Sequence, residues 1–203
     1  SNAAAAFTWK QGMLLREFGR DYPVTREREA AFFARKGELL AKSLEVNEAP
    51  LRAAGLDTTR LRIGTFFTGG GESVVPGTAS YACPIELLRW LIRLEQGRLV
   101  DAWSSLELKR LLYFARPRYR YASSPALAKA AVFFKSGSLF ECESGRKCTP
   151  YKGTVTNLMH SVAIVESGAK VYLVAMMSNI LGVNSAVEHQ TVAGEIERLI
   201  QAR

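Results

Sequence analysis

The sequence is poor in the residues that most often announce chemistry. It has two histidines and three cysteines among 203 residues, and neither His160 nor His189 stands at a ligand spacing to the other or to a cysteine. A metal centre is therefore not expected, and no cofactor motif takes its place. Long hydrophobic runs are missing too: no apolar stretch approaches the roughly eighteen residues needed to cross a bilayer. Gly69-Gly70-Gly71-Glu72 has no Gly-Lys-Ser/Thr after it and no strong strand before it, which excludes a phosphate-cradling P-loop. Acidic residues are in deficit, 19 against 27 basic, for a formal net charge of +8. The resulting field favours anionic partners without choosing among nucleic acid, lipid headgroups and carboxylates.

What is present is the composition of a globular protein, 48% hydrophobic and 23% charged, at a length that suits one domain. Ser1-Asn2-Ala3 reads as the scar of tag removal, which leaves residues 4–203 as a single domain, and the alanines after it as the residues downstream of a removed signal peptide. Apolar spacing predicts helices from Trp9 to Phe18, from about Glu27 to Leu44, and from Asn47 to Ala54 with Gly55 as stop. Pro84 and Gly97 bracket an amphipathic helix carrying Leu87, Leu88, Leu91 and Leu94. Ser104-x-x-Glu107 has capping-box spacing for a helix through Tyr113, and Ser185-x-x-Glu188 for a terminal helix with Val192, Ile196, Leu199 and Ile200 on its apolar side. Between them, Val132–Phe134, Ser161–Val165 and Val171–Met176 read as strands, the last two joined by a hairpin at Ser167-Gly168-Ala169-Lys170. The order predicts an α+β domain, helices packed on an antiparallel sheet with a C-terminal helix.

Cys142 and Cys148 flank the polar turn Glu-Ser-Gly-Arg-Lys and are expected to form a disulfide, which would place the chain in an oxidising compartment; two free thiols are the alternative. Cys83 is expected to stay unpaired. The stretch Arg116-Pro117-Arg118-Tyr119-Arg120-Tyr121 alternates cations with aromatics, a pattern that either stacks along a nucleic-acid strand or serves as a solvated connector. The segment Lys135-Ser136-Gly137-Ser138 continues a buried strand. There a lysine can attract a carboxylate, Ser136 can hydrogen-bond it, and Gly137 lets a ligand backbone approach closely.

In these surroundings the sequence resembles the serine β-lactamase and penicillin-binding protein superfamily, especially its class A β-lactamase-like branch. The residues that carry the resemblance are Lys135-Ser136-Gly137, similar to the family's Lys-Thr/Ser-Gly motif; Thr78 to Leu88, similar to its threonine-rich segment and proline-started helix; and Glu95 to Ser105, similar to the linker into its next helix. The match runs from about Leu51 to Arg203. It implies a β-lactamase/transpeptidase-like fold, with the presence of the family's N-terminal strands left open. It further implies a serine hydrolase-related domain of a bacterial cell-envelope protein, periplasmic or otherwise extracytoplasmic, whose ligands are peptidoglycan-type peptide or β-lactam carboxylates. By the resemblance Lys135 and Ser136 bind the carboxylate and help to move protons, Ser138 flanks the strand edge, and Glu72 falls in the stretch that corresponds to the omega loop.

The family's Ser-x-x-Lys nucleophile motif is not placed. Ser144 to Lys147 and Ser167 to Lys170 fit the string, but both fall in turns beyond the third motif. Phe7-Thr8-Trp9-Lys10 leads into a helix as the first motif does, with Phe7 in the nucleophile's position and Lys10 in the lysine's. Two variants follow: a nucleophile upstream in a longer parent chain, or a non-catalytic relative that binds in the old cleft. Enzymatic activity stays open. The alternative from another class is a basic, non-catalytic module for nucleic acid or anionic surfaces.

Overall fold

The structure is a computed structural model that describes residues 2–62 and 80–203. Glu72 and the Gly69–Gly71 run lie outside the described residues, as do the side chains of Phe7, Trp9 and Leu40. The chain divides into two compact units, Ser1–Glu86 and Leu87–Arg203.

In the first unit, α1 (Asn2–Phe18), α2 (Arg26–Ala34) and α3 (Lys36–Ala53) share a small core. Met13 and Leu14 from α1 meet Phe32 from α2 and Leu39 from α3, all fully buried. A Cβ on Gly12 would stand 3.2 Å from Val46 Cγ1, so glycine there permits the close approach of α1 and α3. The periodicity predicts one helix over 27–44 and a short one after it. The chain instead turns at Arg35 and runs α3 continuously through both stretches. Arg35 donates to Glu17 at 2.6 Å and to Glu38 at 3.0 Å at this corner. The helix stops at Gly55, whose φ of +74° belongs to the left-handed region. Two short strands, β1 (Leu61–Arg62) and β2 (Tyr81–Ala82), pair antiparallel.

The second unit is built on a three-stranded antiparallel sheet in the order β3 (Ala131–Glu141), β4 (Thr156–Ser167), β5 (Lys170–Asn179). All three strands outrun the apolar stretches that predict them, because their polar halves leave the core and lose the hydrophobic signal while keeping the ladder. Gly168, with φ of +60°, closes the β4–β5 hairpin where expected. Side chains alternate between faces. On one face Val132, Phe134, Ala163, Val165, Tyr172 and Val174 pack with Tyr121, Leu127 and Ala193 of α6 (Ala186–Gln201). On the other, Phe133, Val162, Ile164 and Leu173 pack against Leu91 and Leu94 of α4 (Pro84–Glu95) and Leu108 and Leu112 of α5 (Ala102–Phe114). Helices thus cover both faces of the sheet.

Three details depart from the sequence expectation. The cap of α5 is Asp101, whose carboxylate accepts the Ser104 N–H at 2.6 Å, while Glu107 pairs with Arg110 instead of closing a capping box. Ser185 does stand at the N-cap of α6, but its hydroxyl turns inward to Ser178 and Met159. The apolar side of α6 is Ala193, Ile196 and Ile200, with Leu199 exposed.

Candidate functional site

β3 is an edge strand, and its second half is where the core ends. Phe134 is buried, Lys135 is exposed, and Ser136 is half-buried. Period two puts Ser136 and Ser138 on the α6 face and Lys135 and Gly137 on the opposite one. Along a free edge both faces are reachable, and all four residues line one cleft of about 750 Å³. Met159 completes the strand wall. Facing it are Arg118, Tyr119, Arg120 and Ser123, with Tyr151 from the β3–β4 loop and Asn184, Ala186 and Gln190 from the start of α6. Among the described residues the cleft is lined by two arginines and a lysine and by no aspartate or glutamate.

Arg120 shapes this site. Its backbone takes φ of +50°, and its guanidinium Nη1 donates to the Gly137 carbonyl at 2.9 Å, with a longer contact of 3.5 Å to the His160 carbonyl. Burial pushes the guanidinium pKa down, with the Tyr151 phenol opposing the effect. The segment that carries it is pinned to α6: Gln190 Nε2 donates to Ser123 Oγ at 2.8 Å, Ser123 Oγ donates to the Arg120 carbonyl at 2.8 Å, and Ser124 Oγ donates to the Gln190 carbonyl at 2.9 Å. Arg118 Nε is buried and has no hydrogen-bond partner among the described residues. The Lys135 ammonium donates to the Ser136 carbonyl.

Beneath the cleft lies a buried polar layer. His189 of α6 is fully buried between Ser161 Oγ, 3.1 Å from Nδ1, and Ser178 Oγ, 3.0 Å from Nε2. Because Ser178 Oγ donates to the Met159 carbonyl, it accepts from Nε2–H, and Nδ1 in turn accepts from Ser161. Burial holds the His189 pKa below the ordinary histidine value, with the charges of Arg120 and His160 adding to the effect. His160 pairs with Gly137 in the ladder; its Nδ1 is buried with no partner among the described residues, and burial and Arg120 push its pKa down as well.

The mouth of the cleft is held by Asn157. Its Oδ1 accepts the Gly153 N–H at 3.1 Å, and its Nδ2 donates to the carbonyls of Ile180 at 2.6 Å and Val183 at 2.7 Å. One buried side chain thereby ties the loop bearing Tyr151 to the loop bearing Asn184. Gly153 admits no side chain, since a Cβ would stand 1.9 Å from the Thr156 carbonyl oxygen. Cys142 and Cys148 are joined in the same loop, with Cα atoms 5.9 Å apart, and Cys83 is free.

The sequence singled out Lys135, Ser136, Gly137 and Ser138, and the structure brings these four together. Lys10 lies in the first unit, where its ammonium pairs with Glu29 and sits 6.0 Å from the Phe33 ring. Ser144 lies in the disulfide loop. Ser167 Oγ donates to Glu197 at 2.6 Å, at the far end of the sheet from Lys135. The Arg116–Tyr121 run does not form one stacking face: Tyr121 is buried in the core, Arg120 turns to Gly137, and Arg116 donates to the carbonyls of Tyr113 and Ala115. Arg118, Arg120, Asn157 and Gln190 were not singled out for this cleft. For Arg118 and Arg120 the only signal was the density of cations after residue 115, and for Asn157 and Gln190 there was none.

No family model and no curated protein matches the chain. Solved structures do. PBP-A aligns with a TM-score of 0.52 at 14% identity, over 81% of this chain and 55% of that one. A β-lactamase from Chitinophaga pinensis aligns at 0.53 and 13% identity, over 98% of this chain and 82% of that one. A β-lactamase from Streptosporangium roseum aligns at 0.52 and 14%, with the same coverage. The chain thus spans about half the length of PBP-A. Helices on a β3-β4-β5 antiparallel sheet, closed by a C-terminal helix, are the part of the architecture it carries, and that architecture is the β-lactamase and penicillin-binding-protein fold.

Proposed function

We propose that the chain is a β-lactamase-like domain of a bacterial cell-envelope protein, and that its cleft along β3 binds the carboxylate of a peptidoglycan-type peptide or a β-lactam. The observation that carries this is a cleft that, among the described residues, has three cationic side chains, no acidic lining residue, and an open glycine on a strand edge. Lys135 and Arg120 supply the charge, Ser136 Oγ and Ser138 Oγ the neutral hydrogen bonds, and Gly137 the room for a ligand backbone beside the strand. A mutant of PBP-A forms an acyl-enzyme complex with penicillin G, so a ligand of this chemistry suits the fold. The disulfide supports an extracytoplasmic location.

In this proposal Ser136 and Ser138 orient the ligand and do not attack it. A serine hydroxyl is a weak nucleophile until a base takes its proton, and the nearby Lys135 ammonium is engaged by a carbonyl oxygen, not a hydroxyl. Lys10, with Phe7 at the nucleophile's place in the resemblance, is assigned no step. Glu72, which by the resemblance falls in the omega-loop stretch, is assigned no step in this proposal.

The test is calorimetric titration with N-acetylglycine, a minimal peptide carboxylate. Replacing Lys135 with alanine removes a charge-assisted contact and should weaken binding by about tenfold. Equal affinity in the two proteins would remove the assignment.

A further inference from the structure

The cations of the cleft are more numerous than one carboxylate needs, and they stand on different walls. Lys135 projects from the strand wall beside Ser136 and Ser138. Arg118 and Arg120 come from the opposite segment, which Ser123 and Gln190 fix to α6. Arg120 reaches across to the Gly137 carbonyl, so part of its donor set is spent on the strand. Arg118 is different: its side chain lines the cleft, and among the described residues its Nε has no acceptor. Arg118 is half-buried, and a guanidinium with an unsatisfied donor carries a desolvation cost that an anion drawn to its charge offsets. Among the described residues no aspartate or glutamate lines the cleft to supply that acceptor. At about 750 Å³ the cleft also has room for more than one ligand group.

We infer that the cleft takes a dicarboxylate: one carboxylate at Lys135 and Ser136, and a second at Arg118. The substrate class is then a peptide segment whose residue in the cleft carries two carboxylates, or a terminal carboxylate next to an acidic side chain. A guanidinium is suited to the second position because its planar donors match a carboxylate bidentately. Tyr119 and Tyr151 stand along the same cleft with hydroxyls that can accept or donate to the chain between the two groups. This inference rests on the proposed carboxylate-binding function and narrows it from one charge to two.

The probes are N-acetylglutamate and N-acetylglutamine, which match in size and differ in the second carboxylate. Titration of the intact chain at low salt should give at least about tenfold tighter binding of N-acetylglutamate, equal to about 1.4 kcal/mol. Arg118→Gln should bring the two affinities together while leaving N-acetylglutamine unchanged. Arg203→Gln, which removes the same charge from the exposed C-terminus, should preserve the difference and so separates a local contact from the general field of a +8 chain. Lys135→Ala should weaken both ligands. Equal affinity for the two ligands, both lost on Lys135→Ala, would overturn the dicarboxylate and leave the single-carboxylate function standing. A preference for N-acetylglutamate that survives Arg118→Gln would overturn the placement at Arg118. Binding of neither ligand would overturn both proposals.

Discussion

Replacing Asn157 with alanine removes three side-chain hydrogen bonds from a residue that is 1% exposed, and it does so without touching the strand ladder. The Gly153 N–H and the Ile180 and Val183 carbonyls lose their partner together. Each net hydrogen bond contributes about 1 kcal/mol, and a buried group left unpaired costs about 1–3 kcal/mol. If water reaches the two carbonyls once the side chain is gone, the loss is about 3 kcal/mol; if it does not, the loss rises toward about 5 kcal/mol. The backbone N–H of residue 157 keeps its bond to Asn179 Oδ1, 2.9 Å away, so the strand itself should survive. Urea denaturation followed by far-UV circular dichroism reads the effect as a lower midpoint. The same variant, while folded, should bind N-acetylglycine more weakly, because Tyr151 and Asn184 sit on the two loops that Asn157 joins. A loss below about 1 kcal/mol with unchanged ligand binding would refute the idea that this side chain holds the mouth of the cleft.

Two further outcomes follow from the polar layer and the disulfide. His160 and His189 both have pKa values pushed below the ordinary value by burial, so the unfolded chain binds more protons than the folded one in mild acid. Stability from this source is complete above about pH 6.5 and falls as pH drops below it; melting temperatures at pH 8, 6.5 and 5 should decline in that order, and a rise toward pH 5 would contradict it. Reducing Cys142–Cys148, or replacing both with serine, should cost about 2 kcal/mol on the chain-entropy argument for so short a loop; non-reduced protein in which both thiols alkylate freely would count against the pairing.

Local chemistry made some elements legible. Pro84 and Gly97 frame α4 because proline suits a helix start and glycine a left-handed stop, and Gly97 indeed has φ of +70°. The buried halves of the strands showed as apolar runs for the same kind of reason. What stayed hidden was decided by contacts distant in sequence. At Arg35, where α2 ends, the guanidinium pairs with Glu17, eighteen residues earlier. Ser185 abandons the capping role its position suggests because Ser178 and Met159 wait for its hydroxyl across the α6–sheet contact. Asp101, not Ser104, caps α5, and the two candidates are three residues apart, too close for pattern to separate. At the site, Lys135 to Ser138 could be found because charge, hydroxyl and glycine interrupt an apolar strand. Arg120 could not, since only the fold swings residues 116–123 against the strand that begins at Ala131.

The most direct measurement of the central claim is a nitrogen–proton correlation titration of the labelled chain with penicillin G, followed by dialysis and intact mass. Reversible carboxylate binding along β3 predicts shifts concentrated at Ser136, Gly137 and Ser138, their absence in Lys135→Ala, their disappearance on dialysis, and an unchanged mass. Shifts confined to other parts of the chain, or a stoichiometric mass increase that survives dialysis, would contradict it.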